Sequence, residues 1–177
     1  IRNSHITSAE DVLINAASTQ SITSTVVAAS LAVGAGSKAG VGVSIGASIA
    51  RNLIGYDWNY TAMPAEVHAY VADSSIDAAG DLIQTALASQ TINAAVIAAS
   101  VGIGAGKVGV AVSGSGVYAE NWIGVDVQAS IDGDTAIGGD VTDGIRVDNM
   151  SLTARDTSTI NALAAAASIA ASFGNTG

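Results

Sequence analysis

The sequence predicts an all-β fold, a parallel β-solenoid assembled from repeats of about 70 residues, and three observations predict it. The chain repeats itself at a nearly constant period. Its segments alternate apolar with polar or small residues in the rhythm of strands. Its apolar content is made of small side chains: 49% of the 177 residues are hydrophobic but only 4% are aromatic, with 20 glycines and a single proline, Pro64. Ala and Val bury little surface each, so they suit thin, closely spaced layers better than a thick aromatic core. An antiparallel β-sandwich is the alternative architecture.

The period comes first. Residues 9–36 lie over 79–106 without a gap, and 12 of the 28 positions match, among them Asp11, Gln20, Ala28, Ser30 and Gly34 with their counterparts. One residue is then lost, and ARNLIGYD (50–57) meets AENWIGVD (119–126), with Asn52 over Asn121 and Gly55 over Gly124. A third copy opens at TARDTSTINALAAAAS (153–168). Repeat units of approximately 1–70, 71–138 and a partial 139–177 follow, so the chain reads as one segment, 1–177, of a longer array.

The Ala-rich runs force a choice between helix and strand. Residues 160–172 (INALAAAASIAAS) taken alone favour helix. The sister copies, ITSTVVAASLAVG and INAAVIAASVGIG, carry β-branched residues and glycines that penalise a helix interior, so all three read as strand. VGVSIGASIA (41–50), EVHAYVAD (66–73), DLIQTALA (81–88), VGVAVSGSGVYAEN (108–121) and VDVQASID (125–132) alternate likewise. GAGSKAG (34–40) and GAGKVG (104–109) read as hairpin-type turns with Lys38 and Lys107 at their tips. Each repeat is then either one large coil with a long hairpin arm or about three coils of roughly 20–24 residues. Small residues at Ala28-Ala29-Ser30 and Ala98-Ala99-Ser100 would let neighbouring sheets approach closely.

Two stretches break the period and map to loops, where function concentrates. YDWNYTAMPAE (56–66) has no counterpart in the second copy. Its Tyr56, Trp58 and Tyr60 are ligand-contact candidates, because exposed aromatic rings stack on sugar or protein surfaces. The second stretch, 133–149, is glycine-rich and acidic. Asp132, Asp134, Asp140 and Asp143, with Asp148 beyond, form the calcium candidate: several carboxylates on a flexible backbone suit a hard cation, although neither an EF-hand loop nor a GGxGxD array is present.

Composition excludes much else. A formal charge of −9 and a pI near 4.2 oppose nucleic-acid phosphates and anionic membrane surfaces. Cysteine is absent, which removes disulfides and thiolate metal sites. The longest apolar runs are interrupted by Ser, Gly and Lys, so no membrane insertion is expected. Ile1 opens the chain without a basic n-region, as in a processed product or an excerpt. His5 and His68 lack a second ligand at metal spacing and read as ordinary strand residues, and no GxSxG, HExxH or complete phosphate-loop motif occurs. No catalytic residues and no resident cofactor other than calcium are expected.

VHAYVADSSIDAAGDLIQTALASQTINAA, followed by VGVAVSGSGVYAENWIG, resembles the Ala/Gly/Val-rich repeats of very large bacterial secreted proteins, leukotoxin-like and filamentous-haemagglutinin-like adhesins. The resemblance covers essentially the whole chain and rests on a style of repeat. It implies a right-handed β-helix used as an extracellular or cell-surface stalk, adhesin or scaffold. The expected partners are neighbouring repeats of the same chain and a host or cell-surface glycan or protein. Carbohydrate binding or processing, and self-assembly of the chain end to end into a filament, are the alternative readings.

Overall fold

The computed structural model describes residues 1–132 and 144–175, and among these it contains strands and no helix. The strands are β1 (His5–Ser8), β2 (Val12–Ala35), β3 (Ala39–Ile54), β4 (Ala65–Ala72), β5 (Ser75–Ala78), β6 (Leu82–Gly106), β7 (Val108–Ile123), β8 (Val125–Asp132), β9 (Ile145–Arg146), β10 (Met150–Asp156) and β11 (Thr159–Gly174). The Ala-rich run of the third copy is strand, as its sister copies require. The fold is all-β with parallel pairing, and the antiparallel sandwich is not what forms.

Strands pair with their counterparts in the next copy. β1 pairs with β5 through His5–Ser75, β5 with β9 through Ile76–Ile145, and β6 with β10 through Leu82–Met150. β4 pairs with β8 through His68–Gln128, a smaller separation, and the register corrects the bounds of the insertion: Ala65 and Glu66 pair with Val125 and Asp126, so the residues without a counterpart are 56–64 and not 56–66. β3 pairs with β7, and β6 also pairs with β2 and β11. None of these partners lies only 20–24 residues away, so the pairing unit is the whole repeat.

The chain divides into two compact units, and β2, β3, β6 and β7 each contribute residues to both. Unit 1 comprises Ile1–Gln20, Leu53–Thr91 and Trp122–Thr159. Here three parallel sheets, β1-β5-β9, β4-β8 and the first part of the β2-β6-β10 sheet, surround an aliphatic core. Val71, Ile76 and Leu82 are at most 1% exposed and pack with Ile6, Val12 and Ile131, and a second cluster joins Val67 and Ala69 to Ala86 and Ala88. Each fully buried aliphatic of this size stabilises by about 1.5–3 kcal/mol. Gln84, fully buried in β6, donates its Nε2 to the carbonyls of Ala69 (3.3 Å) and Ser130 (3.2 Å), tying that strand to both strands of the β4-β8 sheet. The left-handed backbone at Asn3 and Asp73 marks turns flanking β1 and β5.

Unit 2 comprises Ser21–Asn52, Ile92–Asn121 and Ile160–Gly177. Its distal parts of β2, β6 and β11 form one sheet and β3 with β7 another. The layer between them is made of Gly42, Ser44, Gly46, Ser48, Ala98 and Ser100, so backbone meets backbone. A Cβ on Gly42 would lie 2.1 Å from the Ile103 carbonyl oxygen, and one on Gly104 the same distance from that of Val110. Hydroxyl pairs fill what remains: Ser30 with Ser44 at 2.8 Å and Ser100 with Ser113 at 2.7 Å. Small residues therefore do let the sheets close. The turns at Lys38 and Lys107 differ from the hairpin reading, because β2 and β3, like β6 and β7, belong to different sheets. Stacking face to face replaces edge pairing: with glycine at Gly34 and Gly104, nothing keeps the two strands of the arm apart.

Candidate ligand-contact surface

The insertion, residues 56–64, is a self-supporting loop in unit 1. Gly55 enters it with φ 73°, a conformation open to glycine at little cost, and a side chain there would meet the Gly124 carbonyl oxygen at 2.0 Å. Asp57 then organises the tip: its Oδ1 accepts from the backbone N–H of Asn59 and of Thr61, both at 2.8 Å, and its carbonyl accepts from Tyr60 N at 3.1 Å. Tyr56 bridges to Ala62, and Met63 N donates to the Gly55 carbonyl at 2.8 Å, closing the loop on its own stem. The sequence makes this turn because an Asp side chain mimics a backbone acceptor two residues on.

The rings converge on a residue from the next copy. Tyr56 meets Trp122 edge to face at 5.1 Å between centroids, and Tyr60 tilts over it at 5.2 Å. Tyr60 holds φ 65°, which costs a bulky residue about 1–3 kcal/mol and persists where the surroundings impose it. That conformation brings its ring to Trp122. Trp58 remains 68% exposed, while Trp122 and Tyr60 are each 39% exposed, so the cluster is an open platform. The three aromatic candidates are thus placed on one loop, two of them on the same indole. Trp122 was the residue that sequence reasoning missed. Its signal was present in the alignment of ARNLIGYD with AENWIGVD, which puts Trp122 over Leu53 and beside the start of the insertion.

A second surface of unit 1 is the outward face of β4 and β8, a groove of about 360 Å³ lined by residues including Arg2, Glu66, His68, Tyr70 and Asp132. Glu66 lies directly opposite Asp126 in register, an unfavourable pairing of like charges, and His68 Nε2 stands 3.1 Å from Asp126 Oδ2 without hydrogen-bond alignment. Arg2 covers the Tyr70 ring at 5.7 Å. His5 is a strand residue held by Ser75 Oγ at 2.6 Å. Among the described residues no three His, Cys, Asp or Glu side chains gather as a metal cluster. Of the calcium candidates, Asp132, at the end of β8, and the outlying Asp148, whose backbone N–H donates to the Gly80 carbonyl at 2.9 Å, fall there; Asp134, Asp140 and Asp143 lie outside the described residues.

In unit 2, Arg51 Nε donates to Glu120 Oε2 at 3.0 Å across the β3-β7 pair, and Tyr118 OH donates to the same oxygen at 3.1 Å. This hydrogen bond first, and then the negative charge of Glu120, raises the Tyr118 phenol above its ordinary value, with Arg51 opposing. No family model, curated protein or solved structure matches the chain.

Proposed function

We propose that the chain is a structural and adhesive module, a segment of a long secreted or cell-surface parallel β-solenoid in which each repeat of about 70 residues forms one coil. One observation carries the reading: strands pair in parallel with their own counterparts one repeat along. Such pairing propagates, because every added copy offers the next the same row of backbone donors and acceptors. Length then grows by about 4.8 Å per copy. The reading assigns no catalytic step. Small-angle scattering on the chain and on versions carrying one and two extra copies of residues 71–138 tests it. A constant cross-section with a maximum dimension rising by that increment supports the stalk, and a cross-section that swells with each copy rejects it.

The aromatic platform favours a second element of the same function, contact with a carbohydrate. Rigid rings presented on a pre-organised loop suit the apolar faces of sugar rings, and ordering the loop beforehand lowers the entropy cost of binding. A glycan array probed with the wild type and with Trp122→Ala decides it: signals lost in the variant support sugar contact, and equal signals or none remove it.

A further inference from the structure

The charge of the chain is unevenly divided. Unit 2 holds three cations, Lys38, Arg51 and Lys107, and one acid, Glu120, a formal +2 within a chain of −9. Arg51 and Glu120 pair with each other, so the excess resides in the two lysines. Both stand at the turns joining the two sheets, and the turns adjoin, since Val108 N donates to the Lys38 carbonyl at 3.0 Å. Behind the lysines, polarity is inverted relative to an ordinary β-layer. The inner positions are Gly, Ser and Ala, while Val41 (59% exposed), Val43 (53%), Val108 (61%) and Val110 (43%) point outward from the β3-β7 sheet. Val33 and Phe173, each 62% exposed, do so from the other. No residue from Ala39 to Ala50, or from Val108 to Ala119, is charged.

A second copy of the chain fits this surface poorly. The β3-β7 face from Val41 to Ile49 measures two strands by nine residues, on the order of 300 Å², against about 800 Å² per partner in a stable complex. One protein partner would also leave the opposite face in water. Interfacial acyl chains cover both faces at once, and the long lysine stems at the tip reach back along the wedge to hold their ammoniums at the level of anionic headgroups.

We infer that the tip of unit 2 is a wedge that docks into an anionic lipid leaflet. Depth is limited by the backbone. Immersion of about 5–10 Å takes in some three residues per strand, whereas going deeper would strip water from the open edges of the two-stranded β3-β7 sheet, at several kcal/mol for each bare N–H or C=O. The wedge therefore binds without spanning. The net charge of −9 conceals this surface because unit 1 carries the acids.

The test is co-flotation of the full chain with vesicles of phosphatidylcholine alone or mixed with phosphatidylglycerol, at low salt, with dye release measured in parallel. The expected result is flotation with the anionic vesicles and no dye release. Lys38→Glu with Lys107→Glu, and separately Val41→Ser with Val110→Ser, should each weaken it by about tenfold or more, while Leu13→Ser, at an exposed site in unit 1, leaves it unchanged. Should either double variant fail to fold, protection of the Lys38 and Lys107 amines of the wild type from acylation by anionic vesicles gives the same answer. Absence of flotation, insensitivity to both double variants, dye release, or unprotected lysines would overturn the wedge. So would a lipid-free oligomer that the Val41→Ser, Val110→Ser variant dissolves, which would make the occupant a second copy.

Discussion

Asn52 donates its side-chain Nδ2 to the Oδ1 of Asn121, 2.7 Å away and one repeat further along the chain. Asn52 is 6% exposed, so its amide has little recourse to water. Asn161 and Asn93 repeat the arrangement at 3.0 Å between the second and third copies. Stacked like residues thus satisfy one another, which is how a parallel repeat tolerates polar groups in its walls.

Asn121→Ala should therefore destabilise by about 1–3 kcal/mol, the cost of leaving a buried donor unpaired. Asn52→Ala with Asn121→Ala should lose less than twice that, because the orphaned group is gone. Urea unfolding of the single and double variants gives the comparison, and strict additivity would show that the pair does not interact.

The glycines divide by what they face. Gly42→Ala would push a methyl to 2.1 Å from the Ile103 carbonyl oxygen and force the two sheets of unit 2 apart. A loss of at least about 1–3 kcal/mol is expected, as for other overpacked interiors. Gly116 has nothing within 4 Å of the equivalent position, and Gly116→Ala should stabilise by about 0.5–1 kcal/mol through the entropy of the unfolded chain. Thermal midpoints that move in the same direction for both would refute the packing described for unit 2.

Tyr118 supplies a pH signature. Its phenol is raised by the hydrogen bond to Glu120 and by that carboxylate's charge. A raised folded-state value means that the stabilising contact is complete below the ordinary phenol range and is lost as pH climbs through the folded value, so the effect is confined to alkaline solution. Ultraviolet titration of phenolate, with Tyr118→Phe identifying its signal, should show Tyr118 ionising above the ordinary phenol range, and Glu120→Gln should bring it back down. A late tyrosine that persists in Glu120→Gln would mean that the Glu120 carboxylate is not what raises it.

Much of this was legible in the sequence, and for definite reasons. The match of Asn52 with Asn121 and of Gly55 with Gly124 comes from a period that parallel pairing preserves, so alignment and hydrogen-bond register coincide. The β-branched sister positions settled the strand at 160–172 against the helix propensity of alanine. The turns at Lys38 and Lys107 were misread because a glycine cluster signals a reversal of the chain but not whether the strands then pair by edges or by faces. Trp122 was missed because it lies far in sequence from the loop it supports. The small inward layer of unit 2 was legible at Ala98 and Ser100, but along β3 and β7 the alternation of Gly or Ser with Val looks the same whichever set points inward.

The outer strands lead to the last prediction. In the sheet centred on β6, β2 occupies one side and β10 and β11 the other, and among the described residues the far sides of these strands pair with nothing further. β10 is exposed along its whole length, and β11 along all but one residue. Such rows of free N–H and C=O groups are templates for another chain in the same register. The charge of −9 opposes the approach of a second copy, and this repulsion falls as the Debye length shrinks from about 10 Å at 0.1 M salt to about 3 Å at 1 M. The isolated chain should therefore associate through these strands, more strongly as salt and protein concentration rise. Light scattering across both variables tests it, and Ala165→Pro, which removes a backbone donor in β11, should reduce the effect if that donor faces the open side. A species that stays monomeric at high salt and high concentration would mean that the open sides of β2 and β11 are not available for pairing.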